Sequence, residues 1–456
     1  MAIMHNEWNK AQLTNLFRSR LAFDQTRGID RLSPRQLARR LSEQCEIIER
    51  RMGRADYRFA PYVQVLKTKT AGQPPREICI PTARDRLVLL TLKERLHATF
   101  PSNVPRLLPN GMVRRALKAL QAADPAVHDC VRLDIMNFYG SIRHADLMAK
   151  IASAMPPEET ILVKRAVRNP AVPMGTRRSP SQLRRRDQGV PQGLSVSNVL
   201  ADIALDGIDS TLAARCTHYF RFVDDIFLLV PKGQTQQTYV ETVAAFASRG
   251  LSVHPIHPRS SKGGVYSLTE RIEFLGYVFD NGIISVRPNS TDRFLDNIAA
   301  RVTRFEQERR RRKVTAQVAA DALIQEINER ITGAISQSRR YGWLFYFAAM
   351  TDERLLFEMD AAVEAILRRL PEFRGGRPPR LKRLSRALYE IRHRADGPYM
   401  HSYDRYVTIQ DKHRFLVERG QIAANKQMAP PQVQRLFGRY RYMQLSKLDK
   451  DLSFVS

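Results

Sequence analysis

The distribution of apolar and charged residues divides the chain into a first part of mixed strands and helices and a second part that is helical. In the first part, apolar residues at helical spacing follow Ser33-Pro34, a typical helix cap and first turn. Short runs of aromatic and β-branched residues between turn-forming residues indicate strands. The predicted helices cover 33–52, 83–99 and 194–212, and the predicted strands cover 57–66, 76–80, 130–135, 273–279 and 282–287.

Composition changes twice along the second half of the chain. Beyond residue 291 the pattern is helical and very basic, and it includes the run 309–313 of four arginines and a lysine. The Gly- and Pro-rich segment 371–379 then predicts a boundary before a C-terminal unit. A Pro-, Arg- and Ser-rich segment, 170–186, is predicted to be a loop or an extended arm. Mixed strands and helices first, with helices after, favour an α+β fold.

Two adjacent acids, Asp224 and Asp225, interrupt the apolar run 219–230, which otherwise predicts a buried β-hairpin. Acids between buried strands usually lie at a tight turn and have a group to bind. Carboxylate oxygens suit hard cations such as Mg²⁺. The alternative is a type I turn that contains Asp-Asp by chance, and the dipeptide alone favours neither interpretation.

A second acid, Asp134, ends the apolar strand predicted at 130–135. On a strand beside the hairpin it would bring carboxylates to one point, which suits two-metal catalysis with ions roughly 3.5–4 Å apart. The alternative for Asp134 is a helix N-cap after the strand. Between the two acidic sites, 188–198 places two glycines around Pro191 before an apolar helix, so that another backbone or a base can approach closely.

The net charge of the chain indicates what kind of molecule the protein binds. The 456 residues include 74 Lys and Arg against 46 Asp and Glu, a formal net charge of +28. This excess favours a polyanion, with nucleic acid first. No run of about 18 apolar residues predicts a membrane span, and the first residues lack the pattern of a secretory signal. The four cysteines are widely separated, as is typical of the reduced cytoplasm, so we expect a cytoplasmic nucleic-acid protein with no membrane partner.

Three blocks, in this order along the chain, resemble the palm of reverse transcriptases. Phe222 stands where the Y-x-D-D box of that family commonly has tyrosine. The blocks are 131–142 around Asp134, the Pro-Gln-Gly segment 188–198, and 222–225. The ordered set is far more specific than any single block.

Segments outside the palm blocks resemble other parts of these enzymes. The resemblance extends in all over about residues 57–350. Segment 76–86 is similar to the fingers motif of bacterial and group II intron-like enzymes, 273–277 to the primer-grip hairpin, and 341–347 to the Gly-Trp helix of the thumb.

The resemblance implies an α+β fold shaped as a right-hand polymerase. Fingers and palm, built from an antiparallel sheet plus helices, are expected at 1–285. A helical thumb is expected at 286–370 and a basic, helical C-terminal extension at 371–456.

By the same resemblance, the acids form a catalytic metal centre. Asp134 and Asp224 are expected to bind two Mg²⁺ ions, with Mn²⁺ as an alternative, and the carbonyl of Ile135 assists them. Asp225 completes the acidic cluster. Tyr139 occupies the steric-gate position, where a ring against the sugar disfavours ribonucleotides and implies DNA synthesis; ordinary core packing is its alternative role.

Further residues are expected to contact the nucleotide. Gln192 and Gly193 would lie under the nascent base pair, and Lys69 and Arg76 would contact the triphosphate by charge pairing. A solvated surface charge is the alternative for Lys69. Lys262 is a candidate to protonate the pyrophosphate leaving group.

The primer and its template are expected to meet the grip hairpin and the basic helices. The residues concerned are Phe274, Leu275 and Gly276 in the hairpin and Arg309, Arg310, Arg311 and Arg312 in the basic run. A plain solvated face is the alternative for that run. The tyrosines within 396–406, interleaved with basic residues, could stack on bases or prime synthesis, or else pack against the thumb.

The predicted function is that of an RNA-directed DNA polymerase, with an RNA template, a DNA product and dNTPs as partners. The absence of an evident RNase H or endonuclease region makes the chain resemble retron and defence-associated enzymes, which act with a dedicated noncoding RNA in bacterial antiphage immunity. A template-independent terminal transferase and a non-catalytic, maturase-like RNA-binding protein are the alternatives. A protein partner and a homo-oligomer are both left open.

Overall fold

The computed structural model describes residues 8–68, 74–103, 109–176, 183, 185–257, 262–308, 315–423 and 425–452. The chain forms two compact units. The first comprises Met1–Leu108 and Ala122–Ser267, and the second comprises Pro109–Gln121 and Leu268–Ser456. The boundary after Ser267 lies upstream of the predicted end of the palm at 285. The assignment of fingers, palm, thumb and extension stays a prediction.

Helices and strands alternate through the first unit, and helices dominate the second. The α-helices are α1 (Lys10–Arg20), α2 (Pro34–Leu37), α3 (Leu41–Gly53), α4 (Ala83–Thr99), α5 (Pro109–Ala122), α6 (Phe138–Ser141), α7 (His144–Ala154), α8 (Pro157–Arg168), α9 (Ser197–Ala204), α10 (Ile208–Ala213), α11 (Thr235–Ala247), α12 (Pro288–Gln307), α13 (Ala316–Thr332), α14 (Trp343–Tyr346), α15 (Glu353–Arg368), α16 (Leu384–His393), α17 (Ile409–Glu418) and α18 (Pro430–Lys450). The strands are β1 (Tyr62–Lys67), β2 (Arg76–Ile80), β3 (His128–Met136), β4 (Ala171–Val172), β5 (His218–Phe222), β6 (Asp225–Pro231), β7 (Ser252–Val253), β8 (Gly263–Ser267), β9 (Ile272–Phe274), β10 (Tyr277–Asp280), β11 (Ile283–Val286), β12 (Ala334–Ser336), β13 (Arg339–Tyr341) and β14 (His401–Ser402).

The first unit is built on an antiparallel sheet in which β3 is central. Strand β6 lies between β5 and β3, and β3 pairs on its other side with β7 and β8. Residues 226–230 of β6 are all buried, as expected for a continuous apolar run in the middle of a covered sheet. The antiparallel sheet with flanking helices confirms the α+β prediction.

Local signals position the elements before this sheet. The Thr82 hydroxyl accepts a hydrogen bond from the amide of Asp85 and caps α4, which begins and ends at the predicted residues. A capping box at Ser33 opens α2. Strand β2 also has its predicted bounds, whereas β1 begins only at Tyr62 and not at residue 57.

Other predicted elements differ from the structure in detail. The helix predicted at 194–212 is two helices, α9 and α10, because Gly207 takes a left-handed φ of 85° between them. The strand predicted at 273–279 is likewise interrupted, since Leu275 and Gly276 have φ values of 47° and 84° and turn the chain between β9 and β10. The segment 170–186, predicted to be a loop or an extended arm, contributes the two-residue strand β4, which pairs in parallel with β1.

The second unit holds one of the predicted C-terminal tyrosines, Tyr403, in its core. Tyr403 is 2% exposed, and its hydroxyl donates to Oε2 of the buried Glu329 at 2.7 Å. Arg419 pairs with the other oxygen of Glu329 at 2.5 Å. This packing favours the structural interpretation of Tyr403 over a role as primer or base-stacking surface.

Two further findings concern membrane spans and the cysteines. Within the ranges that the structure describes, no helix is both long and apolar enough to cross a membrane. Cys45, Cys79, Cys130 and Cys216 are free thiols.

Candidate active site

Strand β3 and the β5–β6 hairpin bring the three predicted carboxylates to one end of the sheet. Asp134 lies directly opposite Asp225 in the antiparallel register. At the adjoining position, the amide of Ile135 donates a hydrogen bond to the carbonyl of Asp224 at 3.0 Å. Directly opposed residues share a face of the sheet and have neighbouring side chains. Two segments far apart in sequence therefore meet at one acidic point.

The turn that presents Asp224 has a strained backbone. Val223 has a φ of 59°, in the left-handed region that β-branched residues rarely enter. Such a conformation costs on the order of 1–3 kcal/mol and persists only where the surroundings hold it. This backbone conformation places the Asp224 carboxylate at the tip of the hairpin. Contacts from outside the turn are needed to stabilise it.

The side chain of Arg221 provides these contacts and acts as a brace for the turn. Its side chain is 7% exposed, and Nη1 donates to the carbonyl of Val223 at 2.9 Å. Nε and Nη2 donate to the two oxygens of Asp209, each at 2.7 Å, in a bidentate pair. Nη2 also donates to Asp202 at 3.1 Å, and the Tyr219 hydroxyl donates to Asp209 at 2.7 Å. The guanidinium thus ties the strained turn to α9 and α10.

The electrostatics of the acidic point favour a bound cation. Burial and the negative charge of Asp134 raise the pKa of Asp224 to about 6. Burial also raises the pKa of Asp134, although the Lys262 ammonium opposes the change. A carboxylate whose pKa is raised by a neighbouring carboxylate lies in an excess of negative potential, which a divalent cation relieves.

The donor set fits Mg²⁺ rather than a closed protein site. No cluster of three or more His, Cys, Asp or Glu side chains arranged for metal binding occurs within the described ranges. Mg²⁺ is commonly held by one or two carboxylates together with substrate phosphates and water. Asp134 and Asp224 fit that mode, with the carbonyl of Ile135 as the predicted third donor.

Basic side chains surround the two strand acids. Lys262 Nζ lies 3.3 Å from Oδ2 of Asp134, and His254 Nε2 lies 3.4 Å from the same oxygen. Burial and the Lys262 charge lower the pKa of His254. Arg132 Nε lies 3.3 Å from Oδ1 of Asp225. Asp225 is thus held by an arginine, consistent with a supporting role in the cluster.

The Pro-Gln-Gly segment packs against the predicted nucleotide side of the site. The amide of Cys79, on β2, donates to the carbonyl of Gln192 at 2.7 Å. Gly193 has a φ of 97°, and a Cβ there would lie 2.8 Å from the Ile78 side chain and 2.9 Å from the Cys79 carbonyl oxygen. Glycine is therefore required at this close approach.

Tyr139 and Arg76 also lie near the carboxylates. The amide of Val190 donates to the carbonyl of Tyr139 at 2.7 Å, and the Tyr139 hydroxyl donates to Oδ1 of Asn198 at 2.8 Å. Burial and the charge of Asp224 raise the pKa of Tyr139. The positive charge of Arg76 acts in the opposite direction and lowers the pKa of both Tyr139 and Asp224. The predicted gate and triphosphate residues are thus close enough to interact electrostatically with the acids. Lys69 lies outside the described residues.

The predicted primer-grip residues belong to the second unit. Phe274 is 0% and Leu275 2% exposed, so neither side chain is available to nucleic acid. The carbonyl of Leu275 accepts a hydrogen bond from the Tyr346 hydroxyl at 2.9 Å, and the carbonyl of Gly276 accepts one from the amide of Arg287. Gly276 is buried as well, and the role of this turn in primer contact stays a prediction. Arg309, Arg310, Arg311 and Arg312 lie outside the described residues.

Sequence reasoning missed the residues that hold the site together. His254 contacts Asp134 and Asn198 contacts Tyr139. Arg221 and Asp209 hold the turn that presents Asp224. None of these four residues was singled out. An arginine inside an apolar strand, two residues before a turn, was the one local signal for the brace, because an unpaired buried arginine would be costly. The carboxylates that pair with it are recognisable only once α9, α10 and β5 are packed.

Comparison with known proteins identifies the domain that contains these acids. Residues 67–279 match the family described as "Reverse transcriptase (RNA-dependent DNA polymerase)". No curated protein matches the chain.

Solved structures of other polymerases are similar over parts of the chain. One is telomerase from Candida albicans with a fragment of telomeric RNA, at 12% identity and a TM-score of 0.40, over 88% of this chain and 64% of that one. Apo telomerase from Candida tropicalis is 15% identical, with a TM-score of 0.34, over 50% of this chain and 56% of that one. The RNA-dependent RNA polymerase of a human picobirnavirus is 13% identical, with a TM-score of 0.34, over 48% of this chain and 42% of that one. This chain thus spans less than two thirds of the length of each of them.

The family match includes all three carboxylates, the Pro-Gln-Gly segment and Lys262. The chain therefore contains a reverse transcriptase domain, the domain of the RNA-directed DNA polymerases, which are nucleotidyltransferases.

Proposed function

We propose that this chain copies RNA into DNA, with two divalent cations, Mg²⁺ or Mn²⁺, bound between Asp134 and Asp224. The observation that carries the proposal is the meeting of β3 with a strained, braced hairpin inside the reverse transcriptase domain. A surface turn that contained Asp-Asp by chance would have no need of a buried arginine to hold it. Reverse transcriptase family polymerases generally use divalent metal ions.

The chain's own residues would position the reactants. Asp134 and Asp224 provide the oxygen ligands, and Arg132 keeps Asp225 oriented beside them. When bound, the cations would activate the primer 3′-hydroxyl and neutralise charge on the α-phosphate. Arg76 would pair with the triphosphate, and Lys262 Nζ would donate a proton to the departing pyrophosphate.

Selection of the nucleotide would depend on the surfaces beside the acids. The Tyr139 ring, held by its hydrogen bond to Asn198, would exclude a sugar 2′-hydroxyl. Gln192 and Gly193, held against β2, would support the nascent base pair. Both features favour deoxynucleotides paired to a template over free addition of nucleotides.

We further propose that the enzyme is of the bacterial type and acts in antiphage defence, in the cytoplasm, with a dedicated noncoding RNA. Support comes from the resemblance of 76–86 and 341–347 to bacterial enzymes. The net charge of +28 fits a chain that stays bound to RNA.

The decisive experiment purifies the full chain with its bound nucleic acid, adds Mg²⁺ and dNTPs, and sequences both the RNA and the product. We expect DNA complementary to a co-purified RNA. DNA without a complement in any RNA present would favour the terminal transferase. RNA binding with no incorporation would favour the maturase-like alternative.

Two matched variants make the result specific to the site. Asp224→Asn should abolish incorporation and leave RNA binding intact. Asp280→Asn makes the same chemical change at an exposed hairpin position of the second unit and should retain full incorporation.

Phage plaque counts on cells that carry the wild-type chain or Asp224→Asn test the defence role: equal counts would contradict it.

A further inference from the structure

A strongly basic groove lies within the second unit, between α15, α16 and the segment that leads into α16. The groove has a volume of about 840 Å³, at the upper end of the range of ligand sites. Among its lining side chains, Glu353 is the acid. The cations that line it are Arg377, Arg380, Lys382, Arg383, Arg386 and Arg392. This imbalance attracts anions.

Aromatic rings accompany these cations. Phe357 on α15 and Tyr389 on α16 line the groove and are 59% and 56% exposed. A third ring, Tyr399, has Lys382 Nζ at 5.0 Å and the Arg386 guanidinium carbon at 4.7 Å from its centroid. Large exposed rings among cations are the combination that binds unpaired bases by stacking and phosphates by charge.

Several of these side chains are already ordered. Lys382 Nζ donates to the carbonyl of Tyr399, and Arg392 donates to the carbonyls of Ala348 and Met350. Arg377 pairs with Glu364 at 3.0 Å. Ordering of this kind lowers the entropic cost of binding a ligand.

Other cations in the groove are exposed and available. The side chains of Arg380 and Arg383 are exposed, and neither has an ion pair with an acid in the part of the chain that the structure describes. Asp360 caps the start of α16 by accepting from the amides of Leu384 and Ser385, so the helix end itself is already satisfied. Binding would therefore depend on the side chains rather than on the helix terminus.

We propose that this groove binds a single-stranded segment of nucleic acid, with bases stacked on Phe357 and Tyr389 and phosphates paired with Arg380 and Arg383. A duplex keeps its bases stacked on one another and has no use for exposed rings. An acidic peptide would pair with the cations and leave the rings unused. The proposal goes beyond the polymerase function, because binding here requires no catalysis.

The test measures binding of a labelled single-stranded oligonucleotide of about 12 nucleotides, within the usual span of such sites. The full-length protein is used, with an excess of unlabelled duplex that occupies duplex-binding surfaces. The double variant Phe357→Ala/Tyr389→Ala should weaken binding at least about tenfold, because both stacking rings are lost. The conservative variant Phe357→Tyr/Tyr389→Phe keeps both rings and should bind as the wild type does.

A charge control separates the groove from the general basic surface. Arg354→Ala removes a cation that is also on α15 but outside the groove and paired with Glu358, and it should change affinity by less than roughly twofold. Arg380→Gln/Arg383→Gln should weaken binding about tenfold and flatten its salt dependence. Circular dichroism of each variant confirms that it folds.

Parallel titrations with RNA and DNA of the same sequence identify the strand, and a preference for either supports the proposal. Binding that survives the loss of both rings would overturn it. So would displacement of the oligonucleotide by poly-glutamate of equal charge, which would indicate an acidic protein partner. Nucleotide incorporation is measured separately with Asp224→Asn, so a failure here is distinguishable from a failure of the proposed polymerase activity.

Discussion

Two largely buried carboxylates, one in each unit, have opposite electrostatic environments. Asp224, at the hairpin tip of the first unit, has its pKa raised to about 6 by burial and by the charge of Asp134. Glu326, on α13 of the second unit, is also desolvated, but Lys447 and Arg301 outweigh burial and lower its pKa to about 2. The difference lies in the neighbours and not in the depth of burial.

The contacts of Glu326 explain its low pKa. Lys447 Nζ donates to Oε1 at 2.8 Å, Gln444 donates to the same oxygen at 2.9 Å, and Arg301 Nε donates to Oε2 at 2.5 Å. Its charge is fully compensated by the protein, so it stabilises the packing of α12, α13 and α18. The charge of Asp224 is not compensated in this way, and it therefore suits a ligand cation.

The largest effect we expect comes from the same chemical change made in both places. Asp224→Asn should lower nucleotide incorporation by more than about 1000-fold, because a metal-binding oxygen is lost. Glu326→Gln should leave incorporation near the wild-type rate once the protein is folded. Steady-state primer extension on an RNA template measures both. Equal losses of activity in the two variants would break the comparison.

The brace of the hairpin gives the next largest effect. Arg221→Lys cannot make the bidentate pair with Asp209 and also reach the Val223 carbonyl, so we expect a loss of about 3 kcal/mol in the free energy of unfolding. Incorporation should fall with it, because the turn that presents Asp224 relaxes. Urea unfolding followed by fluorescence, with incorporation assayed at low temperature, measures the two effects.

Arg215→Lys is the matched control for the brace. Arg215 is 52% exposed and pairs with Glu241 at 2.9 Å on the surface. A surface pair of this kind contributes roughly 0–1 kcal/mol. An equally large loss in Arg215→Lys would contradict the role assigned to Arg221.

The dependence of stability on pH tests whether the ionised Glu326 carboxylate is stabilised by its partners. Because its folded pKa is about 2 and its ordinary value is 4.5, this group stabilises the fold above about pH 4.5. That contribution, up to about 3 kcal/mol, should be lost as the pH falls from about 4.5 to 2. Urea unfolding of the wild type and Glu326→Gln across this range isolates it. Parallel curves for the two proteins would show that Glu326 is not stabilised by its partners.

The smallest effect concerns the ring beside the acids. Tyr139→Ala should raise incorporation of ribonucleotides relative to deoxynucleotides by about tenfold, since a contact with the 2′-carbon is removed. Tyr139→Phe keeps the ring, loses the hydrogen bond to Asn198, and should retain discrimination. Competition between rNTP and dNTP on one template measures the ratio. Unchanged discrimination in Tyr139→Ala would assign the ring to packing alone.

Elements with strong local signals were predictable from the sequence. Strand β2 and helix α4 have the predicted bounds, because a Thr cap and a continuous apolar pattern specify them within a few residues. The breaks at Gly207 and at Leu275-Gly276 were missed. Left-handed residues inside an apolar run leave the hydrophobic pattern unchanged, and whether a glycine there uses its freedom depends on what packs around it.

The sequence by itself determined the chemistry available to this protein: the acids, the ordered blocks around them, the glycines at 189 and 193, and the large positive charge. Only the tertiary structure decided which charges are paired and which are not. In the folded chain Asp134 lies opposite Asp225, and Arg221 pairs with Asp209. Tyr403 is buried against Glu329. Phe357 and Tyr389 remain exposed in a basic groove. The physical reason is that burial and electrostatic compensation arise between residues distant in sequence, and both depend on strand register and helix packing.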